Sequence, residues 1–267
     1  MDDRGFVFAA SGQSYTTCAV AAAKSLRRAS PDLPIDIFTD SEVEDSVFDR
    51  VHPLRDSWFR PKLEALVRTR FARTVVLDSD IFVVADISDI FEVLTRFDVA
   101  AAQVQNRNQR FALKKWRRNM PNAFPQINSG VLGIRKSAAT DALFTECQRR
   151  MQEEELPQDQ PVLRELLFDS DLRLAILPPE YNARDVTLWR FGTSKIPAPR
   201  VLHRSAFHGR MTNGKVPTPE ALYGRRFMRH VERLVAADRH LTPGTTRHVS
   251  ALNDLLGQLR GRLFPRR

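Results

Sequence analysis

The sequence contains the stretch Thr74-Val-Val-Leu-Asp-Ser-Asp-Ile-Phe-Val-Val84. Its apolar and β-branched residues are typical of a buried strand, but Asp78 and Asp80 interrupt the run. An ionised carboxylate in an apolar setting is costly unless it is paired or bound to a metal. We therefore expect the strand to end at a cleft, with both carboxylates on the same side of the chain.

This acidic pair predicts a metal site. Asp78 and Asp80, with Ser79 between them, offer two hard oxygen ligands that suit Mg²⁺ or Mn²⁺ when phosphate oxygens complete the coordination shell. A nucleotide diphosphate would supply those oxygens. In the alternative interpretation, the two carboxylates only cap a turn or pair with surface arginines.

The residues around the pair predict an α/β fold with a mostly parallel central sheet and helices on both faces. Strands are predicted at residues 6–10, 35–39 and 74–77, with helices at 14–28 and 61–71 between them. Ligands bind beyond the carboxyl ends of such strands. Three polar groups are expected there: Ser11-Gly12, Thr39-Asp40 and Asp78-Ser79-Asp80.

Further candidates follow in the second half of the chain. Asn128 and Ser129 lie in a predicted polar turn before a strand, where they either face the cleft or only form the turn. Asp159 stands where a helix cap would stand. His208 ends a strand predicted over residues 199–208. The basic stretch 106–122 is either a lid or acceptor-binding loop, or a solvated charged loop.

The composition, with 42% hydrophobic and 27% charged residues, is ordinary for a soluble globular protein. No leader pattern and no membrane-length apolar run is apparent, so we expect a cytoplasmic protein. Cys18 and Cys147 stand far apart, which argues against a disulfide framework or a zinc site. The net charge is +9, but we expect no nucleic-acid partner because no binding motif accompanies the basic residues.

The basic residues concentrate near the C-terminus. Residues 223–267 contain ten arginines against three acidic residues, so we divide the chain into a catalytic domain, 1–222, and a basic helical extension, 223–267. Leucines at helical spacing predict an apolar stripe within residues 249–267. This stripe either contacts the inner face of a membrane peripherally or packs against the catalytic domain.

Several motifs, in this order and spacing, resemble GT-A-fold glycosyltransferases. The similarity is greatest to the glycogenin and bacterial galactosyltransferase-like family and to bacterial nucleotide-diphospho-sugar transferases, over about residues 5 to 210. The motifs are Lys62-Leu63-Glu64-Ala65-Leu66, Val75-Val76-Leu77-Asp78-Ser79-Asp80, Asp86-Ile87-Ser88-Asp89-Ile90-Phe91, Asn128-Ser129-Gly130-Val131, Asp159-Gln160 and His208-Gly209-Arg210.

The resemblance implies roles for individual residues. The Mn²⁺ or Mg²⁺ ligands would be Asp78, Asp80 and His208, with His203 as a competing histidine. The donor nucleotide and its phosphates would contact Ala10, Ser11, Tyr15, Arg60, Lys62, Ser79, Ser129, Gly209 and Arg210. The transferred sugar would lie against the candidate catalytic residues Asn128, Asp159 and Gln160.

These implied roles predict a metal-dependent glycosyltransferase. Its donor would be a nucleotide-diphosphate sugar, with a UDP-sugar first, and its acceptor a glycan or a lipid-linked molecule. Two alternatives stay open. One is a phosphatase of the haloacid-dehalogenase type, with Asp78 as nucleophile and Asp80 as acid and base. The other is a catalytically silent nucleotide-sugar or nucleic-acid binding module.

Overall fold

The computed structural model describes residues 2–55 and 60–249. Its strands are β1 (Asp2–Ala10), β2 (Ile35–Thr39), β3 (Arg50–Pro53), β4 (Phe71–Leu77), β5 (Ile81–Val83), β6 (Val99–Gln103), β7 (Ile127–Arg135), β8 (Leu174–Leu177) and β9 (Val201–His203). Its α-helices are α1 (Gln13–Ala29), α2 (Pro61–Arg68), α3 (Ile90–Val93), α4 (Ala138–Glu153), α5 (Asp159–Phe168), α6 (Thr187–Arg190), α7 (Ala206–Gly209), α8 (Pro219–Tyr223) and α9 (Arg225–Ala237). A 3-10 helix spans Pro179–Asn182.

Seven strands form one sheet in the order β3-β2-β1-β4-β7-β6-β8. Strands β3, β2, β1 and β4 run parallel, β7 runs antiparallel to both of its neighbours, and β8 is parallel to β6. The predicted mostly parallel sheet is therefore confirmed. The carboxyl ends of β1, β2 and β4 and the start of β7 lie along one edge, where the polar groups after each strand meet.

Both faces of this sheet are covered by helices. Phe6 and Phe8 point to one side, where they pack with residues of α1 and α3. Val7 points to the other side, where it packs with residues of α2, α4 and α5. Successive side chains of β1 point to opposite faces of the sheet, and both faces are buried. This explains why consecutive residues of the strand are apolar.

A second, smaller sheet pairs β5 with β9 and carries the C-terminal helices. Its antiparallel register sets Ile81 opposite His203. A third apolar cluster joins Trp189, Phe207 and Tyr223 to one face of α9. Among the described residues, no helix is long and apolar enough to cross a membrane. The predicted stripe within residues 249–267 lies outside the described residues, apart from Val249.

Three local predictions were wrong. The helix predicted over residues 61–71 ends at Arg68, and Phe71 already begins β4. Asn128 and Ser129 lie inside β7 and not in a turn before it. The strand predicted over residues 199–208 ends at His203, because its partner β5 supplies only three residues for pairing. His208 consequently lies on the short helix α7.

Candidate active site

The polar groups predicted to meet beyond the strands do meet. Ser11 Oγ, just after β1, donates a hydrogen bond of 2.5 Å to Asp40 Oδ2, just after β2. The backbone N–H of Gly12 donates to Asp40 Oδ1 at 2.7 Å. Beside them opens a cleft of about 890 Å³, lined by Ala9, Ala10, Ser11, Tyr15, Arg60, Pro61, Lys62, Asp78, Ser79, Asp80 and Pro157.

Two carboxylates and one imidazole converge at this cleft. His203 Nε2 lies 3.2 Å from Asp80 Oδ1 and 3.9 Å from Asp78 Oδ2. The three side chains each offer a ligand atom, and all these atoms lie within 4.8 Å of one another. The pairing of β5 with β9 explains the convergence, because Asp80 directly precedes β5 and His203 ends β9. This group could hold a divalent cation.

The His203 ring is held in one orientation. Its Nδ1 lies 2.8 Å from Asn182 Oδ1, and Asn182 Nδ2 donates to the carbonyl of Asn128 at 3.4 Å. The amide oxygen of Asn182 therefore accepts the Nδ1 proton, and Nε2 faces the carboxylates. Such an outer hydrogen bond commonly fixes a metal-binding histidine. Arg184 Nη1 lies 3.0 Å from the same Nε2.

Gly130 makes room for this ring. A Cβ at Gly130 would lie 2.4 Å from His203 Cε1 and 2.6 Å from His203 Nδ1. Carbon atoms do not approach so closely without displacement. The glycine of the Asn-Ser-Gly segment is thus required by packing against His203.

The structure brings His203, and not His208, to the acidic pair. The sequence assigned the third ligand to His208, but among the described residues the cluster contains His203 instead. His208 stacks on Tyr15, with ring centroids 3.8 Å apart, and its Nε2 lies 3.0 Å from Ser14 Oγ. The physical reason is the early end of β9, which places His203 at the sheet edge. Gly209 and Arg210 follow His208 at the end of α7 and do not line the cleft.

The electrostatics keep Asp80 ionised. Burial alone would raise the pKa of Asp80, but His203, Arg184 and Lys62 oppose burial and hold this pKa at about 2. The site therefore carries an anionic carboxylate throughout the physiological pH range, which is the state that binds a cation.

Lys62 links the acidic pair to residues of β7 and α5. Its Nζ donates to Asp78 Oδ1 at 2.6 Å and to Ser129 Oγ at 3.1 Å. Ser129 Oγ in turn donates to Asp159 Oδ2 at 2.7 Å, and Lys62 Nζ lies 4.0 Å from that oxygen. Burial lowers the pKa of Lys62, but Asp78 and Asp159 outweigh it and raise the value.

The remaining candidate residues also have defined contacts. Asn128 Oδ1 accepts from the backbone N–H of Gly130 at 3.0 Å. Gln160 Oε1 accepts from Gln126 Nε2 at 2.9 Å. Arg60 Nη2 donates to the carbonyl of Pro157 at 2.9 Å. Asn128 and Ser129 are buried, whereas Arg60 lines the cleft.

We expect Lys62→Met to lower the free energy of unfolding by about 3 kcal/mol, because it leaves the Asp159 carboxylate buried without its cation. Urea denaturation followed by circular dichroism measures this change. The matched control is Lys24→Met, which removes an exposed lysine paired with Asp45 and should change stability by less than about 1 kcal/mol. Equal, small effects of the two substitutions would contradict the assigned role of Lys62.

Sequence reasoning missed several residues of the site. Arg184 and Asn182 could not be recognised from the sequence, because they belong to no motif and contact His203 only in the folded chain. The assignment of His203 depended on where β9 ends, and the short apolar run Val201-Leu202 before it was the available indication.

Comparison with known proteins identifies the fold. Residues 12–210 match the family model described as nucleotide-diphospho-sugar transferase. The glycosyltransferase GlyE of Streptococcus pneumoniae TIGR4 is 19% identical, with a TM-score of 0.57, over 88% of this chain and 64% of that one. This chain therefore spans less than two thirds of GlyE.

A second solved structure matches over nearly its whole length. The galactosyltransferase LgtC, solved in complex with donor and acceptor sugar analogs, is 17% identical with a TM-score of 0.56 over 92% of this chain and 98% of that one. The predicted GT-A fold is thereby confirmed. No curated protein sequence matches the chain.

Proposed function

This chain belongs to the nucleotide-diphospho-sugar transferase family, and we propose that it is a metal-dependent glycosyltransferase that uses a UDP-sugar. The acceptor is a glycan or a lipid-linked molecule. The observation that carries the proposal is the convergence of Asp78, Asp80 and His203 on one cleft, with ligand atoms within 4.8 Å of one another.

The donor set fits a divalent cation. Two carboxylates and a neutral imidazole suit Mn²⁺, and the carboxylates also suit Mg²⁺. Asn182 Oδ1 lies beside Nδ1 of His203, which orients Nε2 toward the position of the metal. When bound, the cation would hold the donor diphosphate and neutralise the charge that builds on the leaving group.

The two ends of the cleft would bind different parts of the donor. Ala10, Ser11 and Tyr15 lie near the end of β1, where the nucleoside would bind. Lys62, Arg60 and Ser79 line the part near the acidic pair, where the phosphates and the sugar would bind. Positive side chains that are already in position stabilise the negative charge that develops on the phosphate, because the protein does not have to rearrange during the reaction.

Asp159 acts through its electrostatic field. Burial raises the pKa of Asp159, but Lys62, Arg60 and the Ser129 hydroxyl together lower it below its usual value. An ionised carboxylate at this position would favour positive charge on a sugar that is losing its leaving group. Asp159 also accepts a hydrogen bond from Ser129, and this bond fixes the hydroxyl to which Lys62 donates.

We expect Tyr15→Ala to weaken UDP binding about 10-fold, while Tyr15→Phe binds nearly as the wild type does. The exposed Tyr15 ring stacks on His208, and aromatic faces of this kind bind nucleobases by stacking. Isothermal titration with UDP and Mn²⁺ measures both affinities. Equal affinity of Tyr15→Ala and the wild type would place the base elsewhere.

The family assignment favours this function over the two alternatives. A haloacid-dehalogenase phosphatase belongs to a different family from the one that residues 12–210 match. A silent binding module would need no cluster of metal ligands beside the donor cleft.

A thermal-shift panel tests the proposal. UDP, GDP, dTDP and CMP are each added with and without Mn²⁺. A ligand present at ~100 times its dissociation constant stabilises the folded state by ~2.7 kcal/mol, which raises the midpoint by a few degrees. A shift with UDP that requires Mn²⁺ supports the proposal. A larger shift with another nucleotide would replace the uridine assignment, and no shift with any of them would contradict donor binding.

A further inference from the structure

A second cleft of about 810 Å³ lies farther along the same edge of the sheet. The donor cleft lies beyond the ends of β1 and β4, whereas the second cleft includes Val104 after β6 and Gln126 before β7. Since β7 and β6 follow β4 in the sheet, the two clefts are neighbours. The outer wall of the second cleft is the basic stretch that precedes β7.

The loop that forms this wall is held in place by a buried carboxylate. Glu165 Oε1, on α5, accepts hydrogen bonds from the backbone N–H groups of Trp116, Arg117 and Arg118 at 3.2, 2.8 and 3.2 Å. Trp116 Nε1 also donates to Glu154 Oε2 at 2.6 Å. The wall is therefore an ordered part of the cleft and not only a solvated loop.

Four cationic side chains line this cleft, and we call them the cationic rim: Arg107, Lys114, Lys115 and Arg164. Glu165 is the acidic residue among those lining the cleft, and its Oε1 is occupied by the loop backbone. Arg164 Nε donates to the carbonyl of Phe124 at 2.9 Å, and Arg107 donates to the carbonyl of Asn122.

Neutral carbonyls thus position both guanidinium groups without cancelling their charge. Burial and, to a smaller extent, the neighbouring Arg107 lower the pKa of Arg164, and Glu165 opposes them. In the described part of the chain, Lys114 and Lys115 are exposed and have no salt bridge. Among the described residues, none of the four rim side chains is paired in a salt bridge, so the rim presents a net positive charge.

The inner wall of the cleft supplies an acceptor for a hydrogen bond. Gln126 is 5% exposed and its Nε2 donates to Gln160. Within the described residues, its Oε1 is buried with no hydrogen-bond partner. Leaving a buried polar atom unpaired costs about 1–3 kcal/mol, so such an atom points to a donor that arrives with a ligand. Sugar hydroxyls are donors of this kind.

We propose that the second cleft is the acceptor site and that it binds a sugar carrying a phosphate group. The inference rests on the proposed glycosyltransferase function. The phosphate lies against the cationic rim, because a dianion with several acceptor oxygens matches clustered guanidinium and ammonium groups. A hydroxyl of the same sugar donates to Gln126 Oε1.

Hydrogen bonds, joined by the peptide bond between Asp159 and Gln160, connect this site to the donor cleft. Gln126 contacts Gln160, which follows Asp159 in the sequence. Asp159 contacts Ser129, and Ser129 contacts Lys62 beside the acidic pair. An acceptor sugar held at Gln126 therefore lies next to the residues that we assign to the transferred sugar.

Titration with sugar phosphates tests the proposal without requiring turnover. Glucose 1-phosphate and glucose 6-phosphate are titrated calorimetrically in EDTA, with glucose as the neutral comparison. The variant Lys114→Gln/Lys115→Gln removes half of the cationic rim. The control Lys195→Gln/Lys215→Gln removes the same charge from lysines that line neither cleft. Thermal midpoints without ligand check that all three proteins are folded.

We expect a sugar phosphate to bind the wild type and the control equally, to bind the rim variant at least about 10-fold more weakly, and to bind far more tightly than glucose. Vesicles of phosphatidylcholine with and without a polyprenyl phosphate form a second arm. Co-sedimentation that only the polyprenyl phosphate confers, and that the rim variant loses, would place the phosphate on a lipid-linked acceptor.

Equal affinities for the rim variant and the wild type, equal binding of glucose, or no binding of either phosphate probe would overturn the proposal. Failure of the donor function is recognised separately, because UDP binding with Mn²⁺ is measured on the wild type alone. A protein that binds the sugar phosphate at the rim but not UDP would refute the donor assignment and leave the anionic site in place.

Discussion

Asp78→Asn/Asp80→Asn should lower metal-dependent release of UDP from a UDP-sugar by about 1,000-fold or more. The substitutions keep the shape of both side chains but remove the charges that attract the cation. A loss of about 4 kcal/mol of transition-state stabilisation corresponds to that factor. Both side chains are partly exposed at the cleft, so the protein should stay folded. UDP release is followed by a coupled assay over a range of Mn²⁺ concentrations.

The matched control for this variant is Glu42→Gln/Glu44→Gln. These two acidic residues have the same spacing, are exposed, and line neither cleft. Their replacement changes the net charge by the same amount and should leave the rate within about twofold of the wild type. If the aspartate variant kept its rate and its response to Mn²⁺, the acidic pair would not hold the cation.

Gly130→Ala should weaken Mn²⁺ binding by about 10- to 100-fold, although it changes no ligand. The new Cβ would lie 2.4 Å from His203 Cε1, and the ring cannot simply rotate away because Asn182 holds its Nδ1. Displacing a ligand through its surroundings typically has an effect of this size. Mn²⁺ binding in the presence of UDP is measured by electron paramagnetic resonance of the free ion.

Gly133→Ala is the control on the same strand. A Cβ there would meet the side chains of Ile90 and Leu94 at 3.1 and 3.2 Å, which can adjust, and it lies away from the site. The variant should bind Mn²⁺ as the wild type does. His203→Gln, which keeps a polar side chain, should lose affinity as Gly130→Ala does. Normal affinity in both Gly130→Ala and His203→Gln would show that His203 is not a ligand.

The sequence was sufficient for the parts of the fold that local patterns determine. Strands β1, β2 and β4 and helix α1 were predicted because apolar residues repeat at the strand or helix period. Asp78 and Asp80 stood out because charge inside an apolar run requires compensation. The placement of Ser11 and Asp40 together followed from parallel topology alone, since the ends of neighbouring strands share one edge.

The rest depended on contacts between distant residues. His203, and not His208, lies beside the acidic pair because the register of β5 and β9 sets the end of the strand, and no local pattern encodes that register. The orientation of His203 by Asn182 joins residues that come together only on folding. Gln126 gave no signal, because its unpaired oxygen is a property of the packed structure.

One measurement tests the central claim most directly. The protein is incubated with UDP-glucose, UDP-galactose and their N-acetylamino forms and, separately, with p-nitrophenyl phosphate. Release of UDP and of inorganic phosphate is quantified with Mn²⁺, with EDTA, and after Mn²⁺ is restored. The account predicts release of UDP from at least one donor, its loss in EDTA, its recovery with Mn²⁺, and no recovery in Asp78→Asn/Asp80→Asn. Release of inorganic phosphate from p-nitrophenyl phosphate without release of UDP would contradict it and favour a phosphatase.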